Sequence, residues 1–160
     1  MIKEFGPVIE KLGSLLKIWE PKLLALPDEI LAKKRNSQNR SIKQVVGHMI
    51  DSASNNIHRI VHLQYRENPM EFPNYATEGN NDRWIAIQNY QGEDWEQMVY
   101  LWKYIHLHII HVIGNIDANK LDSVWNDASE HGHVTLMDMV IDFPRHFELH
   151  IDEIQELMES

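Results

Sequence analysis

Ten histidines and no cysteine in a chain of 160 residues narrow the chemistry that this sequence offers. Neutral imidazoles bind divalent transition metals when two or three meet at a point. Two histidines four apart on a helix bring both rings to one place. That spacing occurs twice, at His58/His62 and at His146/His150. Among ten histidines the spacing alone is a weak signal, so position on the helix has to separate the pairs. On a projection at about 100° per residue, the apolar residues after Thr135 fill a sector roughly 120° wide. His150 lies inside that sector and His146 at its margin, between Phe143 and Ile154 along the helix. His58 and His62 fall roughly 150° or more from the apolar centre of their own segment and are expected to face water.

A third ligand has to come from another helix. His48 lies on the flank of an apolar sector and shares it with Ser52, Asn55 and Arg59. A polar strip of this kind, beside helices rich in Phe, Trp and Ile, reads as the wall of a wet pocket. His106 is the rival third ligand or a lining residue, being nearer its helix's apolar centre than His108 or His111. His131 and His133 reach a site only if the loop that carries them folds over the bundle. Two readings stay open at this level: a metal centre, or core-edge imidazoles each bonded to a neighbour.

The elements that must position these residues are legible from hydrophobic periodicity. A first helix is predicted from about Ile2 to Ala25, with Pro21 bending or ending it. A second starts at Ser41, where Gln44 completes an S-x-x-Q capping box, and runs to about Tyr65. A third spans Glu93 to Ile116, with acidic residues at its start. The fourth begins at Thr135 with Asp138 as capping partner and carries its apolar sector to Leu157; Pro144 predicts a kink just before His146. The connections are about 15, 27 and 18 residues long, and the middle one exceeds most bundle loops. Within it, Asn81 to Tyr90 is expected to form a short helix. No alternating β pattern stands out. The expected architecture is all-α: one domain over residues 1–160, a four-helix bundle with long crossover loops.

Composition bounds the function. The formal charge of -9, with Lys33-Lys34-Arg35 the densest basic run, argues against nucleic acid as a partner. Apolar windows are broken by Lys, Asp or His, so no membrane span is expected. The start MIKEFGPVIEK lacks the plan of a signal peptide, and a cytoplasmic protein is expected. The missing cysteines exclude disulfides, thiolate ligands and a Cys nucleophile.

The segments SIKQVVGHMID around His48 and TLMDMVIDFPRHFELHIDEI around His146 and His150 resemble the DinB-like, YfiT-type superfamily of metal-dependent enzymes. FPNYATEGNNDRW and the G-x-x-T-L stretch from Gly132 to Leu136 extend the likeness over nearly the whole chain. The resemblance implies a four-helix bundle, commonly a homodimer, with a divalent ion (Zn, Ni, Mn, Co or Fe) held by His48, His146 and His150. It implies either hydrolysis or transfer of a low-molecular-weight thiol on a small-molecule substrate. Pro144 and the additional histidines depart from its pattern. Three imidazoles with an open position describe a catalytic site more than a structural one. Around it, Asp51 is a candidate second partner for His48, Arg59 a candidate for a substrate carboxylate, and Tyr75 and Trp84 candidate covers of the pocket. A non-catalytic metal- or small-ligand-binding bundle is the alternative reading, and a metal-free structural bundle the third.

Overall fold

A computed structural model describes residues 2–126 and 132–159. Four long helices carry the structure: α1 (Phe5–Leu24), α3 (Ile42–Leu63), α5 (Trp95–Gly114) and α6 (Leu136–Glu159). Between them lie two short helices, α2 (Asp28–Lys33) and α4 (Asn80–Gln88), and three short strands, β1 (Met70–Glu71), β2 (Val124–Asn126) and β3 (His133–Thr135). α3 packs on both α5 and α6, and α1 packs on the same two, so α1 and α3 stand across the bundle from each other.

The bundle forms because each long helix has a stripe to bury. On α1 the stripe is Phe5, Val8, Leu12, Leu16, Trp19 and Leu23, at intervals of three and four and all buried. Met98, Val99, Trp102, Ile109 and Ile113 of α5 meet it, and Phe143, Phe147, Ile151 and Ile154 of α6 close the core. The ring of Trp102 lies 5.8 Å from that of Phe147 across the α5–α6 diagonal.

Helix starts follow their capping residues. Ser41 accepts from the Gln44 amide at 3.3 Å while the Gln44 side chain accepts from the Ser41 amide at 3.0 Å, the reciprocal box expected there. Asp94 caps α5 through the Gln97 amide. Thr135 accepts from the Asp138 amide and donates to the Asp138 carboxylate at the head of α6. Both internal prolines are accommodated: α1 continues past Pro21 to Leu24, and α6 runs unbroken through Pro144. The helix is continuous from Pro144 to His146. Pro144 removes one backbone donor, and the packed stripe on either side holds the remaining turns in place.

The expected helical bundle is present, and a minor three-stranded sheet is added to it. β1 pairs parallel with β2, and β2 antiparallel with β3, in the order β1-β2-β3. Strands of two or three residues are too short to show an alternating pattern, which is why periodicity missed them. The sheet fastens the long middle connection to the lead-in of α6. The short helix expected at Asn81 to Tyr90 is present as α4, followed by a 3-10 turn at Tyr90–Gly92.

Gly47 is where the α4 layer meets α3. A Cβ added there would sit 2.2 Å from Tyr90 Cδ2, so only glycine lets the Tyr90 ring lie on the helix. Tyr90 in turn donates to Asp51 at 2.7 Å. Gly47→Ala is therefore expected to displace Tyr90 and destabilise the chain by about 1–3 kcal/mol, the usual range for overpacking. Urea unfolding of wild type and variant measures this. An unchanged midpoint would mean that Tyr90 does not depend on the missing side chain.

Candidate metal centre

The apolar stripes of α3 and α6 set the rotation of each helix, and that rotation points three histidines at one another. His48 of α3 is 3% exposed and His150 of α6 is 5% exposed, with His146 half-buried one turn before it. Ring centroids lie 4.6 Å apart for His48 and His150, 4.5 Å for His146 and His150, and 6.0 Å for His48 and His146. One nitrogen from each ring lies within 4.8 Å of the other two.

Neighbours decide which nitrogen faces inward. The Nδ1 of His48 lies 3.2 Å from the Tyr75 hydroxyl, which donates to the His48 carbonyl at 3.4 Å. A hydroxyl whose hydrogen goes to the carbonyl accepts from Nδ1–H, which leaves the Nε2 lone pair of His48 for the centre. On His150, Nδ1 sits 3.0 Å from Glu153 Oε2, so the carboxylate takes the Nδ1 hydrogen and Nε2 again points inward. The Nε2 atoms of His146 and His150 are only 3.2 Å apart. Two acceptor nitrogens at that distance need a proton or a cation between them.

Burial keeps the site uncharged. It pushes the His48 pKa from 6.5 down to about 2, and the charges that His150, Arg40 and His146 would carry push the same way. His146 is lowered to about 4, again chiefly by desolvation and then by His150. Both rings are neutral at pH 7 and keep lone pairs to donate. Inward lone pairs from borderline-soft nitrogens, with second-layer bonds fixing the rings, fit a divalent transition metal.

His106 does not join the convergent group. It is buried at 1% exposure, its Nδ1 bonds the Trp102 carbonyl at 2.6 Å, and its ring stands edge-on to Phe147 at 5.0 Å. It therefore lies behind the site, among Met49, Ser52 and Phe143, and burial lowers its pKa to about 4. His58 and His62 stack on each other away from the centre, with His58 exposed and His62 half-buried against Phe72. His108, His111 and His133 are exposed, and His131 lies outside the described residues.

Beside His146 opens a cavity of about 350 Å³ whose lining includes Ser52, Asn56, Arg59, Asn74, Tyr75, Trp125 and Phe143. The polar strip of α3 does line a pocket, with one exchange. Asn56 takes the place expected of Asn55, whose amide is turned back to the Asp51 carbonyl. Tyr75 lies on the cavity wall with Trp84 edge-on behind it at 5.5 Å, so Trp84 supports Tyr75 and does not itself line the cavity. Arg59 is 6% exposed, well inside the protein.

The Asp51 expectation needs correcting. Its carboxylate accepts from Tyr90 at 2.7 Å and Gln88 at 2.7 Å, and no bond joins it to the three imidazoles among the described residues. One turn beyond His48 it faces the α4 layer, where burial raises its pKa. Glu153 and Tyr75 hold the second-layer places instead. Glu153 follows His150 by three residues, a helical spacing visible in the sequence but shared by many solvated Glu residues. Trp125 carries no local signal at all.

Comparison with solved structures gives a match that spans nearly the whole chain. The chain superposes on YfiT from Bacillus subtilis with a TM-score of 0.82 at 18% identity, over 99% of this chain and 89% of that chain. The fold is that of YfiT. YfiT is described as a probable metal-dependent hydrolase with an unusual four-helix bundle topology. No family model matches the sequence, and no curated protein matches it significantly. The YfiT-type resemblance read from the histidine segments therefore holds at the level of fold, where sequence identity is low. No described helix is long and apolar enough to cross a membrane.

The depressed histidines make stability depend on pH. Below pH 6.5 the unfolded chain binds protons that folded His48, His146 and His106 refuse, because their folded pKa values are about 2, 4 and 4. Their effect is level above roughly pH 7, and stability falls as pH drops from 6.5 toward 4, by up to about 1.4 kcal/mol per pH unit for each group. Urea titrations of chelator-treated protein across that window should show a shallower slope for His106→Gln than for wild type. Equal slopes would mean that His106 takes a proton in the folded state.

Proposed function

We propose that this protein is a metal-dependent enzyme that acts on a small molecule, with His48, His146 and His150 holding one divalent ion. The observation that carries the reading is the convergence of three ring nitrogens within 4.8 Å beside a cavity large enough for a substrate. The likeness of fold to YfiT supports it, and hydrolysis is the reaction it favours. Transfer of a low-molecular-weight thiol would use the same donors and the same cavity.

When bound, such an ion lowers the pKa of a coordinated water or thiol toward neutrality and polarises a carbonyl. The chain's own residues supply the rest. Glu153 and Tyr75 fix the ring orientations of His150 and His48, so the donor atoms are arranged before anything binds. Phe143 and Trp125 form apolar walls that limit water beside His146, and Ser52, Asn56 and Asn74 offer polar groups to orient a ligand.

Metal analysis of protein purified without a nickel column should find about one ion per three-histidine site. His48→Ala, His146→Ala and His150→Ala should each abolish tight binding. Anomalous scattering from crystals should place the ion among these rings. Tyr75→Phe keeps the ring and loses the hydroxyl, so it should weaken metal binding by about 10–100-fold and, by leaving the buried Nδ1 of His48 unpaired, lower stability by about 1–3 kcal/mol. Metal-free wild type that gains nothing from added Zn, Ni or Mn would remove the metal reading. Screening the loaded protein against esters, amides and thiol-plus-electrophile pairs separates hydrolysis from thiol transfer, and activity that survives all three His→Ala changes would remove the site from the chemistry.

A further inference from the structure

Two asparagines line the cavity beside His146, Asn56 from α3 and Asn74 from the connection between β1 and α4. The chain itself fixes which end of each side chain is already used. Asn56 lies about two turns beyond His48, and its Nδ2 donates to the Ser52 carbonyl at 2.8 Å, with the Ser52 hydroxyl at 3.4 Å. Only the NH2 end of an amide can serve a carbonyl, so Oδ1 is the end left over. Asn74 is held the other way round: its Oδ1 accepts from the Ala76 amide at 3.0 Å, which leaves its NH2 group. Neither leftover group bonds to protein among the described residues, and neither is sealed away from solvent.

The cavity therefore offers one acceptor and one donor, both uncharged. That pair is the complement of a carboxamide, which has an N–H to give and a carbonyl to receive. The two carboxylates of the lining are exposed and engaged elsewhere, Asp138 with Thr135 and Asp142 with Arg145. Phe143 and Trp125 supply apolar walls. Trp125 is fixed, since its Nε1 donates to the Phe72 carbonyl at 3.0 Å and one face of its ring lies 4.1 Å from the Arg59 guanidinium. A cavity of about 350 Å³ lies at the low end of ligand pockets, so it suits one ring or a short chain.

We propose that the cavity selects a small carboxamide, its N–H on Oδ1 of Asn56, its carbonyl on Nδ2 of Asn74, and its apolar body against Phe143 and Trp125. This deepens the proposed function and rests on the reading that the cavity is the substrate site. Hydrolysis of such a substrate joins the oxygen of water to the carbonyl carbon and breaks the C–N bond, the nitrogen leaving as an amine with one proton of that water. The carboxylate left behind has no N–H, so Asn56 holds the substrate and releases the acid.

Benzamide and acetophenone test it by calorimetry on chelator-treated protein, because acetophenone has the same shape with a methyl group in place of the NH2. Wild type should bind benzamide at least about tenfold more tightly, since the ketone leaves Oδ1 of Asn56 without a donor. Asn56→Leu should bring the two ligands level. Asn74→Asp keeps the bond from Ala76 and loses the NH2 group, so it should weaken both alike. The wild-type ratio needs no variant and stands even where a substitution fails to fold. Equal or reversed affinities in wild type overturn the proposal, as does a benzamide preference that survives in Asn56→Leu. Wild type that takes up its metal and binds neither ligand also overturns it, and leaves the metal-site reading intact. An Asn56-dependent preference in protein that takes up no metal would keep this inference and remove the enzyme proposal.

Discussion

Inward-facing imidazole lone pairs inside a helix bundle constrain everything around them. Such groups are tolerated only where each ring is held, because an unsatisfied nitrogen in a dry place is costly. Here the outward nitrogens of His48 and His150 are satisfied by Tyr75 and Glu153, which leaves the inward ones facing one another. Desolvation keeps His48 and His146 neutral, so the group does not repel itself apart. The packing of α3 on α6 is what brings the rings together, and the apolar stripes of those helices set the angle at which they meet.

The outer layer serves the same centre from the other side. The turn after α4 is pinned to α3 by the Asp51–Tyr90 bond, and α4 to the residue ahead of the α3 cap by the ion pair of Arg40 with Asp82. The connection leading into α4 carries Tyr75, and Trp84 of α4 backs its ring. The small sheet sets Trp125 under Arg59 and joins the connection before α4 to the lead-in of α6. A bare bundle would present His48, His146 and His150 to open water. The two long connections make a walled cavity of that opening.

The helices and their phases could be read from the sequence because each is a periodic local pattern. The Ser41–Gln44 box, the α1 stripe and the placing of His150 within an apolar sector need only residues within a turn or two of one another. The strands could not be read, since two or three residues carry no period. Asn55 and Asn56 are adjacent, about 100° apart on the helix, and which of the two meets the cavity was decided by the packing around α3. The i+3 place of Asp51 suggested a partner for His48, yet Tyr90 arrives from 39 residues away and takes that carboxylate.

By itself the sequence determined the four long helices, the caps of α3 and α6, and the faces on which His48, His146 and His150 lie, because local periodicity and the burial of apolar surface decide those things. Tertiary structure alone decided that the three rings meet, that Tyr75 and Glu153 turn their nitrogens inward, and that Trp125 lies beneath Arg59. Except for the short step from His150 to Glu153, these are contacts between residues far apart in the chain. Their formation depends on how the helices and connections pack, which no short window of sequence encodes.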